Sequence, residues 1–409
     1  MFCLPSAFAL FAALWPDPAR CGDPQEAGLT LEEVRDIARR SAPAVLAAQA
    51  RIDEARGILK SASYALPGNP VLDVDAGPRI DRGDATANYD VSLSVPLATG
   101  GKRSSRVASA TAGVEAENAR ASDAARVVLF EVSRSFYRIL FEEERARLAE
   151  ERDRIARELL STAQARERAG QVPAFDIQIA SLEVARASSE VLAARAARAA
   201  ALADVRALLG WPPDRHLAIR GDLRERGRFE LEVLLRRAPD RPDLLALAAE
   251  LRRAQADVDF AAALKWPDLA VRAGYQRDEG ANILRLGIGV PLPLVDRGQG
   301  ASMTARGRAA EAGFEYQFGR IGTENRIRLL WESLRLLEES VRVLDQDGLP
   351  RLEEAERFAR SGYEAGYLPL TQWLQVRREA LETRANYLEQ LLEAASAGLA
   401  LELESGALR

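Results

Sequence analysis

The sequence predicts a mainly α fold with a small β part: a tandem-duplicated protomer of long coiled-coil helices plus two β-hairpins. Three observations predict it. Tyr89, Val91, Leu93, Val95 and Leu97 alternate with Asp90, Ser92 and Ser94, the period of two expected of a strand with one apolar and one wet face. From Lys102 to Arg168 there is no proline and only one glycine, Gly113, in a run rich in Ala, Glu, Arg and Leu, all good helix formers. Such a helix would extend roughly 100 Å, a rod that few soluble globular domains need. Finally, the same features recur in the same order in the second half of the chain.

The recurrence is measured by its landmarks. SAPAVLAAQARIDEA from Ser41 answers to DRPDLLALAAELRRA from Asp240, and Asn69-Pro70-Val71-Leu72 answers to Trp266-Pro267-Asp268-Leu269. The offsets are 199 for Pro43/Pro242, 197 for Pro70/Pro267, 195 for Pro96/Pro291 and 196 for Gly170/Gly366. Agreement within four residues at four landmarks points to a duplication rather than shared helical composition. A period this long is not a solenoid unit; it describes two equivalent halves of one elongated protomer.

The first repeat is expected over residues 22–210 and the second over 229–409, with 211–228 as the linker. Thr30 and Glu33 form a capping box ahead of a short helix. A second helix over 42–64 is stopped by Pro67-Gly68-Asn69-Pro70. The first hairpin spans 71–97, with strands 71–77 and 89–97 and a loop carrying Gly77-Pro78 and Gly83. A long helix over 102–168, a tight turn, and a return helix over 174–209 complete the repeat. The second repeat has short helices over 229–237 and 241–264, a hairpin over 268–291 turning at Asp278-Glu279-Gly280, a long helix over 301–363 and a return helix over 370–404. Gly348-Leu349-Pro350 should kink that long helix, because proline removes a helical hydrogen bond. Leu330, Leu334, Leu337, Val341 and Leu344 repeat at 4,3,4,3, a coiled-coil seam.

Composition bounds the function. The 409 residues are 29% charged and 47% hydrophobic, as in an ordered chain. A net charge of −5 gives no reason to expect a nucleic-acid partner. With one histidine, His216, and two cysteines, Cys3 and Cys21, no imidazole or thiolate cluster is available to a transition metal, and no cofactor is expected. No Ser/His/Asp set exists without His216, and no phosphate-binding glycine loop is present, so no catalysis is expected. The acidic run Glu142-Glu143-Glu144 reads as a solvated helix face.

No apolar run reaches the length of a transmembrane helix. The apolar opening of the chain, residues 1–15, has the length of a signal-peptide core, which makes residues 1–21 a signal peptide cleaved between Ala13 and Cys21. It lacks a positive n-region, and Pro18-Ala19-Arg20 is a poor context for lipid attachment at Cys21.

The four strands approach the length that a tilted membrane strand requires. Their apolar face and their Asp, Ser, Arg, Gln and Gly face match a barrel with lipid outside and water inside. Two soluble hairpins packed on the helices would show the same alternation. The membrane reading gains from both hairpins carrying the pattern and each feeding a helix long enough to cross a compartment. Four strands cannot close a barrel, and an open sheet in lipid leaves edge hydrogen bonds unmade. Several protomers must then share one barrel.

At this point the chain resembles the TolC-type outer-membrane factors, the exit ducts of tripartite efflux pumps and type I secretion systems, over residues 29–403. The stretch from Val290 through Pro291, Pro293, Asp296 and Arg297 to Gly300 is similar to the second-repeat motif of the CzcC-like cation-efflux branch. Val95-Pro96-Leu97-Ala98-Thr99-Gly100-Gly101-Lys102-Arg103 is similar to its first-repeat counterpart, and Ser361-Gly362-Tyr363-Glu364-Ala365-Gly366 to the approach to its second helical tip. The resemblance implies a homotrimer in the outer membrane, with twelve strands closing one barrel over a periplasmic barrel of α-helices. It also implies two partners, a periplasmic adaptor (membrane fusion protein) and an inner-membrane transporter of the resistance-nodulation-division type. The adaptor-docking tips would be Gly170, Gln171, Val172, Pro173 and Asp176 on one side and Gly366, Tyr367, Leu368 and Pro369 on the other.

One departure from the family matters. Better-known members carry aspartates six and nine residues after the second tip glycine, facing inward; here those positions are Gln372 and Gln375. Asp176 stands six residues after the first tip glycine, but Ile179 occupies the ninth place. The expected periplasmic gate, built from Gln372, Gln375 and Asp176, is polar rather than strongly acidic. The leading expectation is a passive exit duct for metal cations. A duct for drugs or polypeptides, and a non-membrane coiled-coil scaffold, are the alternatives.

Overall fold

The computed structural model describes residues 28–81, 84–170, 172–225, 227–278, 281–292 and 294–408. The signal peptide, Cys21, Gly83, Gln171, the Glu279-Gly280 turn and Pro293 therefore lie outside the described residues.

Thr30 opens the first helix, α1 (Leu31–Ser41), through a reciprocal capping box: Glu33 N donates to Thr30 Oγ1 at 3.4 Å, and Thr30 N to Glu33 Oε2 at 2.7 Å. Helix α2 (Pro43–Ser63) begins with proline in its first turn, where the missing N–H costs nothing. Strands β1 (Val71–Asp81) and β2 (Asp84–Leu97) follow, then α3 (Lys102–Arg168) and α4 (Ala174–Leu209). Helix α3 has 67 residues, about 100 Å of rod. The second half runs α5 (Leu231–Arg237), α6 (Pro242–Ala263), β3 (Leu269–Asp278), β4 (Ala281–Gly289), α7 (Gln299–Val343), α8 (Leu349–Glu364) and α9 (Leu370–Glu404).

Three expectations are corrected. The run Glu142-Glu143-Glu144 is not a solvated face: Glu142 is fully buried and paired with Arg138 at 2.6 Å, and its two neighbours are half-buried. The loop expected at Gly77-Pro78 is strand: β1 continues through both residues to Asp81. Proline is tolerated there because β1 lies at the sheet edge, where one side of the strand has no ladder to serve. The break in the second long helix is not a simple kink at residues 348–350. It is a π-helical turn, Leu344–Gly348, immediately before Pro350. Pro350 has no N–H for the carbonyl four residues back, and the widened turn accommodates that loss.

The hairpins do not fold separately. They join through β2 and β3 into one antiparallel sheet of order β1-β2-β3-β4. Its register places Leu72 beside Leu93, Leu93 beside Ala273 and Ala273 beside Leu286, so one face is apolar from edge to edge. Leu72, Val74, Leu284, Leu286 and Ile288 on that face are exposed in the protomer. The other face carries Asp73, Asp75, Ser92, Arg272 and Gln276. Arg285, whose register partner is the side-chain-free Gly274, reaches across β3 to Asp90 at 2.9 Å.

The helices repeat the order of the strands they adjoin. Beside the sheet, α2 packs on α3, α3 on α6 and α6 on α7. At the far end, α4 packs on α3, α3 on α9 and α9 on α8. The largest apolar core lies midway, where Leu129, Val132, Phe136 and Ile139 of α3 meet Val34, Val205, Leu209 and Leu391. Leu334 of the coiled-coil seam and Leu401 of α9 pack in a second core with Ile327 and Leu234. Arg241 donates to Asp243, to Glu404 and, at 3.2 Å, to Thr323, tying α6 to α7 and α9.

Candidate functional site

Both helical tips turn through glycine in the left-handed region, Gly170 at φ 68° and Gly366 at φ 79°. At the first tip Gly170 N donates to Glu167 O at 2.8 Å, and Pro173 N-caps α4 with extended backbone. At the second, Tyr367 N and Leu368 N both donate to Gly362 O, at 2.8 and 3.1 Å. These bonds satisfy helix-end carbonyls as a glycine C-cap should. Leu368 folds back over Gly362, where even a Cβ would come within 2.7 Å of it. Tyr367 and Phe175 project from the tips, exposed. Asp176 lies in the first turn of α4, half-buried, where its charge suits the helix N-terminus.

The tips lie side by side in one protomer. Arg166, just before the first tip, sits 4.9 Å above the Tyr363 ring and reaches Glu364 O at 3.4 Å in the second. Tyr363 stacks on Trp373 at 5.7 Å between ring centroids. Leu159, Ala163, Ala180, Ala359 and Leu370 complete the cluster beneath them. Glu356 of α8 accepts from Arg377 at 2.9 Å and Arg384 at 2.7 Å, bracing α8 against α9. Burial holds the Arg377 guanidinium below its usual pKa, against the attraction of Glu356.

Gln372 and Gln375 are exposed on one face of α9. That face continues as Glu379, Glu382, Asn386, Glu389 and Glu393, at alternating steps of three and four, and all of these are exposed. The buried anchors Trp373, Ala380 and Tyr387 lie on the opposite side of the helix. Carboxylates therefore begin on this face of α9 one turn after Gln375, at Glu379. The exposed row is legible in the spacing of the glutamates once α9's buried face is known.

The family-motif residues occupy the two places where strand becomes long helix. Gly100 and Gly101, at φ 63° and 77°, turn the chain from β2 into α3. Pro96 pairs with Ala270 near the end of β2. Thr99 N and Lys102 Nζ both donate to Asp268 Oδ1, at 3.2 and 2.9 Å. Pro291 follows β4; Asp296 Oδ1 then accepts from Gly298 N at 2.8 Å, and Arg297 N donates to Gln299 Oε1 at 2.7 Å. Gly300 has open space around it. The motif is thus distant in the chain from the tips and from the gate residues. Among the described residues no three His, Cys, Asp or Glu side chains converge as metal ligands, and no helix is long and apolar enough to cross a membrane.

Known proteins share this architecture. The chain is 30% identical over 370 residues to the cobalt-zinc-cadmium resistance protein CzcC of Cupriavidus metallidurans, covering 89% of this chain and 87% of that one. Its fold matches crystal structures of CusC with a TM-score of 0.79 at 14% identity, covering 92% of this chain and 91% of CusC. It matches the Campylobacter jejuni CmeC outer membrane channel with a TM-score of 0.79 at 15% identity, over 92% and 85% of the two chains. For the open state of the Neisseria gonorrhoeae MtrE outer membrane channel the TM-score is 0.77 at 18% identity, over 93% and 89%. The family model for outer membrane efflux proteins matches residues 34–211 and 237–407. The chain belongs to the outer membrane efflux protein family and is an outer-membrane channel protein that extends into the periplasm.

Proposed function

We propose that this chain is the passive exit duct of a tripartite system exporting metal cations, assembled as a homotrimer. The observation that carries the reading is the shared order of its two layers. The sheet ends at β1 and β4, and the helical row beside it ends at α2 and α7, the helices joined to those same strands. Both layers are thus open on the same two sides. Completion by like copies leaves no unpaired strand edge in lipid, and three copies of four strands give the even, closed number that a membrane barrel requires. Exposed apolar side chains line both open sides, Leu46 and Ile58 on α2 and Phe314, Phe318 and Leu329 on α7.

Cations are favoured as cargo by the row Glu379, Glu382, Glu389 and Glu393, which would line the water path above a neutral mouth at Gln372 and Gln375. A low-dielectric channel wall concentrates counter-ions near such charges. The 30% identity to a cobalt-zinc-cadmium resistance protein supports the same choice. The tips Gly170–Pro173 and Gly366–Pro369 would receive the adaptor, and the inner-membrane pump would supply the energy. The test is the tolerance of a host that depends on this chain. Its loss should lower tolerance to cobalt, zinc or cadmium; unchanged metal tolerance with lowered drug tolerance would assign the duct to drugs.

A further inference from the structure

The two junctions where strand becomes long helix are built alike but treated differently within the protomer. At the first, residues 98–100 lie between β2 and the helix-capping Gly101. One side of this segment packs on the junction between α6 and β3, leaving Ala98 and Thr99 half-buried and Gly100 with an exposed side. Gly100 packs so closely on Trp266 that a Cβ would come within 2.7 Å of it. Thr99 Oγ1 donates to Pro267 O at 2.5 Å, and Lys102 pairs with Asp268. One repeat thus seats its strand–helix junction on the helix–strand junction of the next.

The second junction, between β4 and α7, is packed only at its last residue, Gly298, where a Cβ would come within 3.0 Å of Leu264 at the end of α6; the described residues before it are exposed. It leads to Gly298, which has the same φ of 77° as Gly101. Between Leu292 and Gly298 lie five residues, against three between Leu97 and Gly101. Leu292, Leu294 and Val295 are 72%, 75% and 90% exposed. The segment is nonetheless braced: Leu294 N donates to Leu292 O at 2.9 Å, and Gln299 Nε2 donates to Val295 O at 3.2 Å. Its apolar side chains are held outward.

The internal repeat identifies what should cover them. The counterpart of the α6–β3 junction is the α2–β1 junction, residues 64–71, which sits at the opposite end of the sheet and helical row. That junction is itself bare, with Tyr64 57% and Val71 52% exposed. We infer that Leu292, Leu294 and Val295 seat on the α2–β1 junction of a second copy of this chain, so that an apolar contact joins copies where an ion pair joins repeats. The change of chemistry is visible in the sequence. At the repeat offset of 197, Gln299 stands in the place of Lys102 and Val71 in the place of Asp268, so the ion pair has no counterpart. This inference rests on the oligomeric reading above and names its contact surface.

Cysteine pairs in the full chain test it. Leu294→Cys or Val295→Cys would be combined with Asn69→Cys or Val71→Cys, with each single variant controlling for native Cys3 and Cys21. Oxidation of outer-membrane fractions should give crosslinked dimers and trimers in at least one pair and in no single variant. If none of the four pairs crosslinks while the chain still runs as a detergent-resistant oligomer, the contact is wrong and the oligomer stands. If wild type is monomeric in detergent, the oligomeric reading itself fails. A Leu294→Asp, Val295→Asp chain adds a second readout. It should lose at least tenfold of its oligomer; an intact oligomer with weakened membrane partition would mean that lipid covers the segment, overturning the inference.

Discussion

Lys102 and Asp268, 166 positions apart, form an ion pair of 2.9 Å that ties the first repeat's long helix to the α6–β3 junction of the second. The lysine side chain is 9% exposed and the aspartate 40%, so the pair is neither fully buried nor a surface accident. It is the point where barrel and helical layers of both repeats meet.

Lys102→Met should therefore destabilise the protein by about 1–2 kcal/mol, discounted for the half-wet aspartate. Thermal unfolding of the detergent-extracted protein would show a lowered Tm, and restoring the charge with Lys102→Arg should recover part of it. An unchanged Tm for Lys102→Met would remove the pair from any role in joining the repeats.

The tip glycines make a second prediction. Valine at Gly170 or Gly366 must adopt a positive φ that β-branched residues avoid, at a cost of about 1–3 kcal/mol. The strain falls at the tips, far along the chain from the strands, so membrane insertion should persist while adaptor capture and export decline. Normal export by both variants would place docking elsewhere.

The row of glutamates on α9 makes a third. Replacing Glu379, Glu382, Glu389 and Glu393 together with glutamine should lower cation preference in single-channel recordings by roughly tenfold, the low end of electrostatic focusing. Conversely, Gln372→Asp with Gln375→Asp should create block by micromolar multivalent cations at the periplasmic mouth. Strong block of the wild type from that side would contradict a gate that is polar rather than strongly acidic.

Acid should expose the Arg241 junction. Burial alone would raise the Asp243 pKa, but its paired hydrogen bonds with Arg241 and the nearby charge of Arg126 hold it below the ordinary carboxylate value. A depressed folded-state pKa contributes stability above the unfolded value, near pH 4, and loses it as pH falls through the folded value. Asp243→Asn should thus lower the Tm at pH 7, by an amount equivalent to about 1–3 kcal/mol. The gap to wild type should close as the pH is lowered below 4. A gap independent of pH would show that shape rather than charge is lost.

Much of this fold is legible in the sequence because its elements are unusually regular. The alternation around Val91 and Val95, the proline-free run of α3 and the Thr30 capping box each carry a local physical signal. What is missing is non-local. No local pattern says that β2 pairs with β3, since the Leu93–Ala273 neighbourhood depends on how two repeats stack. Gly77-Pro78 reads as a turn because proline punctuates most strands; only its place on an edge permits the strand to continue. At the tips the glycines and prolines announce a turn, but the Arg166–Tyr363–Trp373 stack that holds the two tips together spans both repeats. The glutamates of α9 need the buried side of that helix before they form a row.

The central claim is that an open four-stranded sheet is completed by copies of the same chain in the outer membrane. Native mass spectrometry of protein extracted from that membrane tests it most directly. The account predicts a complex of three chains that persists in mild detergent; a monomer, or a chain recovered only from the soluble periplasm, would contradict it.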